Sequence, residues 1–360
     1  MVIERFYEAP LDKIPDSHDL TNAYFYKFFH GPDYSLAKYS LIHFADFIRG
    51  FSTLLELFDN ENCPKLLQSY LQRAKSLLNA PPIHALGLRD PKVDFSVVEV
   101  SKYGNFVSTR FKNAALELID IYGRLDAWHA MATANHAFQL AVPQFVDQEE
   151  PLLDIHALYH PLLSIPVSYD VVMQQRANFI FLTGANMAGK STFIKAVGIS
   201  VYLAHLGLGV PARQMHLSHF DGILSNINVV DNIARGESYF FNEVKRIKDT
   251  ILKINDKRKW LVLIDELFKG TNVQDAMKCS SAVVRGLIKI HNSLFILSTH
   301  LYEIGDELKG FPNISFKYFE TSVIDEQLEF SYQLKDGISN DRLGYLILKR
   351  EKVVELLDQL

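Results

Sequence analysis

The stretch NFIFLTGANMAGKSTF, residues 178–193, decides the fold. An apolar run, Phe179 to Leu182, meets Gly184-Ala185-Asn186-Met187-Ala188-Gly189-Lys190-Ser191, followed by Thr192 and a helical pattern. That run fits G-x-x-x-x-G-K-[ST] between a strand and a helix. Glycines let such a loop fold into a nest of N–H groups, which join the helix N-terminus in converging on phosphate oxygens. Lys190 is then expected to reach the β/γ-phosphates of a nucleotide, and Ser191 its Mg2+. Gly184, Ala185, Asn186, Met187, Ala188, Gly189, Lys190, Ser191 and Thr192 form the expected nucleotide-binding set.

Downstream, LVLIDE (261–266) reads as a buried strand ending in two carboxylates. Its spacing predicts Asp265 beside the magnesium with Ser191, and Glu266 beside the γ-phosphate, where it orients or deprotonates the attacking water. LSTH (297–300) ends another apolar strand, and a donor at a strand's C-terminal edge lies where open α/β sheets bind ligands. His300 is therefore a candidate γ-phosphate sensor.

Around these motifs, strand-like runs at 179–182, 261–264 and 294–297 alternate with helical patterns, which argues a mostly parallel sheet with crossover helices. Ser315 to Val323 and Leu328 to Leu334 read as a C-terminal antiparallel hairpin. The first third reads as helix. Phe44, Phe47, Ile48, Phe51, Leu54, Leu55 and Phe58 repeat at three and four, and Leu67 to Leu78 continue the period until Pro81-Pro82 stops it. FSVVEV (95–100) reads as a short strand, and a long helix from Phe111 towards Phe138 reads as a strut. Period and composition change at Pro143 and the acidic run Asp147 to Pro151. The expected organisation is an all-α arm over 1–150 and an α/β domain over 151–360.

Composition narrows the remaining classes. With 360 residues, 48% hydrophobic and 22% charged, the chain buries a sizeable core and falls outside the disordered class. Its net charge is −5, and residues 1–120 hold 13 Lys+Arg against 15 Asp+Glu, so no basic region advertises nucleic acid. Cys63 and Cys279 make neither a disulfide framework nor a zinc motif. The N-terminus lacks the pattern of a signal peptide, and the longest apolar stretch, 196–210, is short and broken by glycines and His205. A cytoplasmic protein without a membrane segment is expected. His216-x-x-His219 and His156-x-x-x-His160 have helical ligand spacing but no third ligand nearby, and read as structural or solvated.

The order of phosphate loop, Gly236-Glu237-Ser238, carboxylate pair and strand-end histidine resembles an ABC-type ATPase, and more closely the MutS mismatch-repair family. The matching stretches are TGANMAGKSTF (183–193), VPAR (210–213), DNIARGESYFFNEV (231–244), LVLIDELFKGTN (261–272), STHLYEI (298–304) and DGIS (336–339). His160-Pro161 and Leu125-Asp126-Ala127 resemble its entry motif and the end of its lever helices. The resemblance implies an ATP-hydrolysing P-loop NTPase that works as a homodimer with nucleotide at the interface. Gly236 and Ser238 would then contact the γ-phosphate held by the partner's loop, and double-stranded DNA, mismatched, branched or plain, would be the partner. The G-x-S turn ahead of a helix also offers N–H groups and a hydroxyl to an anion on physical grounds.

The chain departs from the family pattern at Ala185 and Ala188, where Pro and Gly are usual, at Tyr239 within S-T-F, and at Asn272-Val273. About 150 residues stand where full-length sensors carry mismatch-reading, connector and clamp domains, so a short member is expected. Phe6-Tyr7-Glu8 spells the family's F-x-E wedge, yet the domain that presents it has no room here, and it reads as a chance match. The competing reading is a nucleotide-gated protein-interaction module that never touches DNA. A transporter subunit is disfavoured by the helical arm, and a chromosome-scaffold head by the absence of long heptad coils.

Overall fold

The computed structural model describes residues 14–15, 20–58, 63–227, 239–324, 327–339 and 356. The chain divides into two compact units, Met1–Ala130 and Met131–Leu360.

The first unit is built from helices: α1 (Leu20–Phe29), α2 (Gly31–Leu57), α3 (Lys65–Leu78), α4 (Pro81–Gly87), α5 (Val97–Ser108) and α6 (Lys112–Ala137), the last running past the division at Ala130. The stripe on α2 is buried at Leu41, Phe44, Ile48, Phe51 and Leu55, and packs with Ile83, Leu86, Val100 and Leu118. Pro81 and Pro82 do more than stop α3. They occupy the first turn of α4, where a missing N–H costs nothing.

Residues 95–100, read as a strand, are instead the start of α5. Ser96 accepts the Glu99 N–H while the Glu99 carboxylate accepts the Ser96 N–H, a reciprocal cap that commits the β-branched run to helix. Val100, Gly104 and Val107 then share the buried face.

The second unit carries ten strands among the described residues, in two sheets. β1 (Gln144–Phe145), β2 (Leu152–Leu158), β3 (Tyr169–Gln174) and β5 (Gln214–Leu217) form a mixed four-stranded sheet in the order β1-β5-β2-β3, which the sequence reading did not anticipate. Because β1 pairs with β5, this unit begins upstream of the boundary expected near residue 150.

The larger sheet has the order β10-β9-β4-β8-β7-β6, with β4 (Phe179–Thr183), β6 (Gly222–Asn226), β7 (Trp260–Asp265), β8 (Leu294–Ser298), β9 (Ile314–Ile324) and β10 (Gln327–Asp336). All neighbours are parallel except the β9–β10 hairpin. α7 (Lys190–His205), α8 (Tyr239–Ile254), α9 (Val273–Leu287) and α10 (Glu303–Leu308) complete the unit.

Alternation along the buried strands sends side chains to two cores. Ile180, Leu182, Leu261, Leu263, Leu294 and Ile296 pack with α7 and the smaller sheet. Phe179, Phe181, Val262, Ile264, Phe295 and Leu297 pack with residues of α8, α9 and α10. The fold is thus a mixed α/β arrangement whose central strands are covered on both faces. Among the described residues no helix is long and apolar enough to cross a membrane.

Candidate functional site

The central strands β4, β8 and β7 are adjacent and parallel, so their C-terminal ends share one edge. Register places Leu182 opposite Ser298 and Ser298 opposite Asp265, and all of the polar candidates described lie just beyond that line.

Between β4 and α7 the backbone turns left-handed at Gly184 (φ 137°), Met187 (φ 66°) and Gly189 (φ 112°). Such turns aim successive N–H groups into one concavity ahead of the first helical turn. Ala185 and Ala188, the two departures, are both buried, while Asn186 and Met187 are exposed at the tip. Thr192 is half-buried in the first turn of α7.

Lys190 folds back over the loop it follows, donating to Gly184 O at 2.8 Å and Ala185 O at 2.9 Å. The residue is 5% exposed; burial lowers its pKa to about 8, although Glu266 and Asp265 pull in the opposite direction. A desolvated cation facing a nest of N–H groups is suited to an anion.

Ser191 Oγ donates to Asp265 Oδ2 at 2.6 Å, and Ser298 Oγ donates to the other carboxylate oxygen. A part-buried hydroxyl–carboxylate pair beside an anion site has the donor chemistry for Mg2+, which takes one or two protein oxygens and completes its shell with phosphate and water. Among the described residues no cluster of three or more His, Cys, Asp or Glu could hold a metal by itself.

Glu266, left-handed at φ 61°, receives His300 Nε2 at 2.8 Å on Oε1 and Lys269 Nζ at 2.9 Å on Oε2. Burial alone would raise its pKa, but these two donors outweigh it and hold the carboxyl at about 2. The pairing with Glu266 in turn raises Lys269 against the desolvation that would lower it.

The structure therefore brings together Gly184 to Thr192, Asp265, Glu266 and His300. Gly236 and Ser238 lie outside the described residues, as does Phe6-Tyr7-Glu8. Neither histidine pair makes a metal centre: His216 Nε2 lies 3.0 Å from Gln144 Oε1, His219 packs on the rings of His205 and Phe145, and His156 lies beside Asp154 and Asp170. Both cysteines are free.

Four contributors escaped the sequence reading. Ser298 and Lys269 tie the two carboxylates, Thr183 Oγ1 accepts the Ser339 N–H at 2.9 Å and so docks the DGIS stretch on β4, and half-exposed Tyr332 sits against Gly189. Thr183, Lys269 and Ser298 lie within the quoted motifs without a role assigned to them there, and Tyr332 lies in none.

These elements define a mixed α/β domain with an anion-suited loop and paired carboxylates at one sheet edge. Residues 180–355 match the MutS domain V family model. The chain is 30% identical over 244 residues to the DNA mismatch repair protein MutS of Thermotoga maritima, covering 67% of this chain and 30% of that protein. It is 26% identical over 289 residues to that of Petrotoga mobilis, covering 76% and 35%. With human MutS protein homolog 4 it shares 29% over 237 residues, covering 63% and 25%. Through this domain the chain belongs to the MutS family. It spans about a third or less of the length of these relatives.

Proposed function

We propose that the chain is a MutS-like, Mg2+-dependent ATPase of the ABC-type P-loop class, hydrolysing ATP to ADP and phosphate. A homodimer completes the site, with Gly236 and Ser238 of one protomer meeting nucleotide held by the other. Nucleotide state then controls its hold on double-stranded DNA in repair or recombination, with the helices of the first unit as an arm. The observation that carries this reading is the 2.6 Å bond from Ser191 to Asp265, which joins the glycine-flanked loop to the carboxylate pair.

Ser191 and Asp265 would hold Mg2+, which offsets charge on the phosphate oxygens. Lys190 exchanges its two carbonyl partners for phosphate oxygens and regains an anionic partner for its buried charge. Glu266, with Lys269 on its Oε2, would orient the attacking water as an acceptor. That suits a loose phosphoryl-transfer transition state, which asks for positioning and charge stabilisation. His300 has its Nε2 on the same carboxylate and can turn it to a γ-phosphate oxygen.

The experiment is ATPase rate and sedimentation of wild type and Glu266→Gln, with and without homoduplex, mismatched and branched DNA at two salt concentrations. Stimulation by DNA, weakening steeply with salt, together with ATP-locked Glu266→Gln dimers, is the expected result. Wild-type turnover in the variant overturns the assignment of Glu266. ATP-driven dimerisation indifferent to every DNA overturns the DNA reading in favour of a protein partner.

A further inference from the structure

Glu243 lies on the first turns of α8, five residues after Ser238, and is a carboxylate only 4% exposed. Its two oxygens accept two consecutive backbone N–H groups, Lys269 on Oε1 and Gly270 on Oε2, each at 3.2 Å. Burying a charge this deeply is costly unless it is hydrogen-bonded, and a carboxylate bridging adjacent amides fixes the orientation of the peptide between them.

The same turn is gripped at two more points. The Phe268 ring packs 5.6 Å from the Phe240 ring, and a Cβ at Gly270 would come within 2.7 Å of the Phe240 backbone nitrogen. Two residues of this short segment, Glu266 at φ 61° and Phe268 at φ 58°, are held left-handed without being glycine. Such conformations persist only where the surroundings over-determine them. Here α8 supplies three of the constraints.

Lys269, carried by this turn, places its ammonium 2.9 Å from Glu266. We propose that Glu243 is a positioning residue for Glu266: by pinning the 268–270 turn to α8 it holds the Lys269–Glu266 pair in the geometry that orients water. The inference rests on the reading of Glu266 as the residue that orients water.

The test compares wild type with Glu243→Ala and the near-isosteric Glu243→Gln, which keeps one acceptor oxygen. In nucleotide-free protein, amide hydrogen exchange at 268–270 is expected to quicken about tenfold in Glu243→Ala and less in Glu243→Gln, with β4 and α7 unchanged. With ATP and Mg2+, kcat is expected to fall about tenfold in Glu243→Ala and less in Glu243→Gln, while affinity for a fluorescent ATP analogue stays within twofold.

Unchanged exchange at 268–270 in both variants overturns the clamp. Faster exchange with wild-type kcat overturns the positioning role, as does an equal loss of nucleotide affinity and kcat. If wild type and Glu266→Gln turn over alike, the underlying reading of Glu266 fails, and the exchange measurement still decides whether Glu243 holds the turn.

Discussion

His300 Nε2 donates to Glu266 Oε1 across 2.8 Å, joining the end of β8 to the end of β7 at the carboxylate that also receives Lys269. The bond brings two motifs separated by 34 residues onto one atom group, and it sets the protonation behaviour from which several expectations derive.

Glu266→Gln keeps the shape of the side chain but loses its charge. Turnover is expected to fall by about 10²-fold or more, with nucleotide binding retained, because an amide orients water poorly. Single-turnover hydrolysis beside equilibrium binding of a fluorescent ATP analogue checks this.

Acid should expose the same carboxylate. Its folded pKa of about 2 lies below the ordinary 4.5, so its stabilisation is full above pH 4.5 and is lost as pH falls from 4.5 through 2. Wild type is expected to exceed Glu266→Gln in stability at neutral pH by roughly 3 kcal/mol at most, with the gap closing through that window. Urea unfolding of both proteins at a series of pH values measures it.

Lys190 works in the opposite sense. Its folded pKa of about 8 lies below the ordinary 10.5, so the cost of burying its charge is full below pH 8 and is relieved as pH rises to 10.5. Lys190→Met should therefore stabilise the nucleotide-free protein at pH 7 by up to roughly 3 kcal/mol, raising its Tm, while abolishing tight ATP binding. Thermal melts with and without nucleotide separate the two effects, and a variant that still gains stability from ATP refutes the role.

Gly189→Ala probes the loop itself. At φ 112° an L side chain is strained, with a cost of about 1–3 kcal/mol, and relief would rotate N–H groups out of the nest. Weaker nucleotide binding is expected even if the variant folds, read by titration and melting together.

Ser96→Ala tests the helix that replaced the expected strand. Loss of the cap is expected to lower the stability of the helical unit by about 1 kcal/mol and to leave nucleotide affinity unchanged. Chemical unfolding followed by far-UV circular dichroism is the measurement.

Much of this architecture was legible because its signals are local. The stripe of Phe44, Ile48 and Phe51 needs only a period, and the runs at 179–182, 261–264 and 294–297 are continuous because both faces of their strands are covered. The misreading at 95–100 shows the limit of that logic. Val97, Val98 and Val100 favour a strand by propensity, and one reciprocal cap between Ser96 and Glu99 reverses it. The smaller sheet was missed because β1 has two residues and β5 four, too short for a pattern, although Tyr169–Gln174 does alternate buried and exposed.

The sequence alone determined the glycine-flanked loop, the apolar strands and the carboxylate and histidine that end them, because backbone permissiveness and burial patterning are properties of neighbouring residues. Tertiary structure decided that Ser191 meets Asp265, that Thr183 receives Ser339, that Lys269 and His300 share Glu266, and that Glu243 holds the turn between them. The Ser191–Asp265 and His300–Glu266 contacts follow from the strand order β4-β8-β7 and its register, the Thr183–Ser339 contact from the hairpin β9–β10 on the other side of β4, and together they bring residues 74 and 156 positions apart within hydrogen-bond distance. No local signal encodes that order, because it is settled by how two cores close on opposite faces of one sheet.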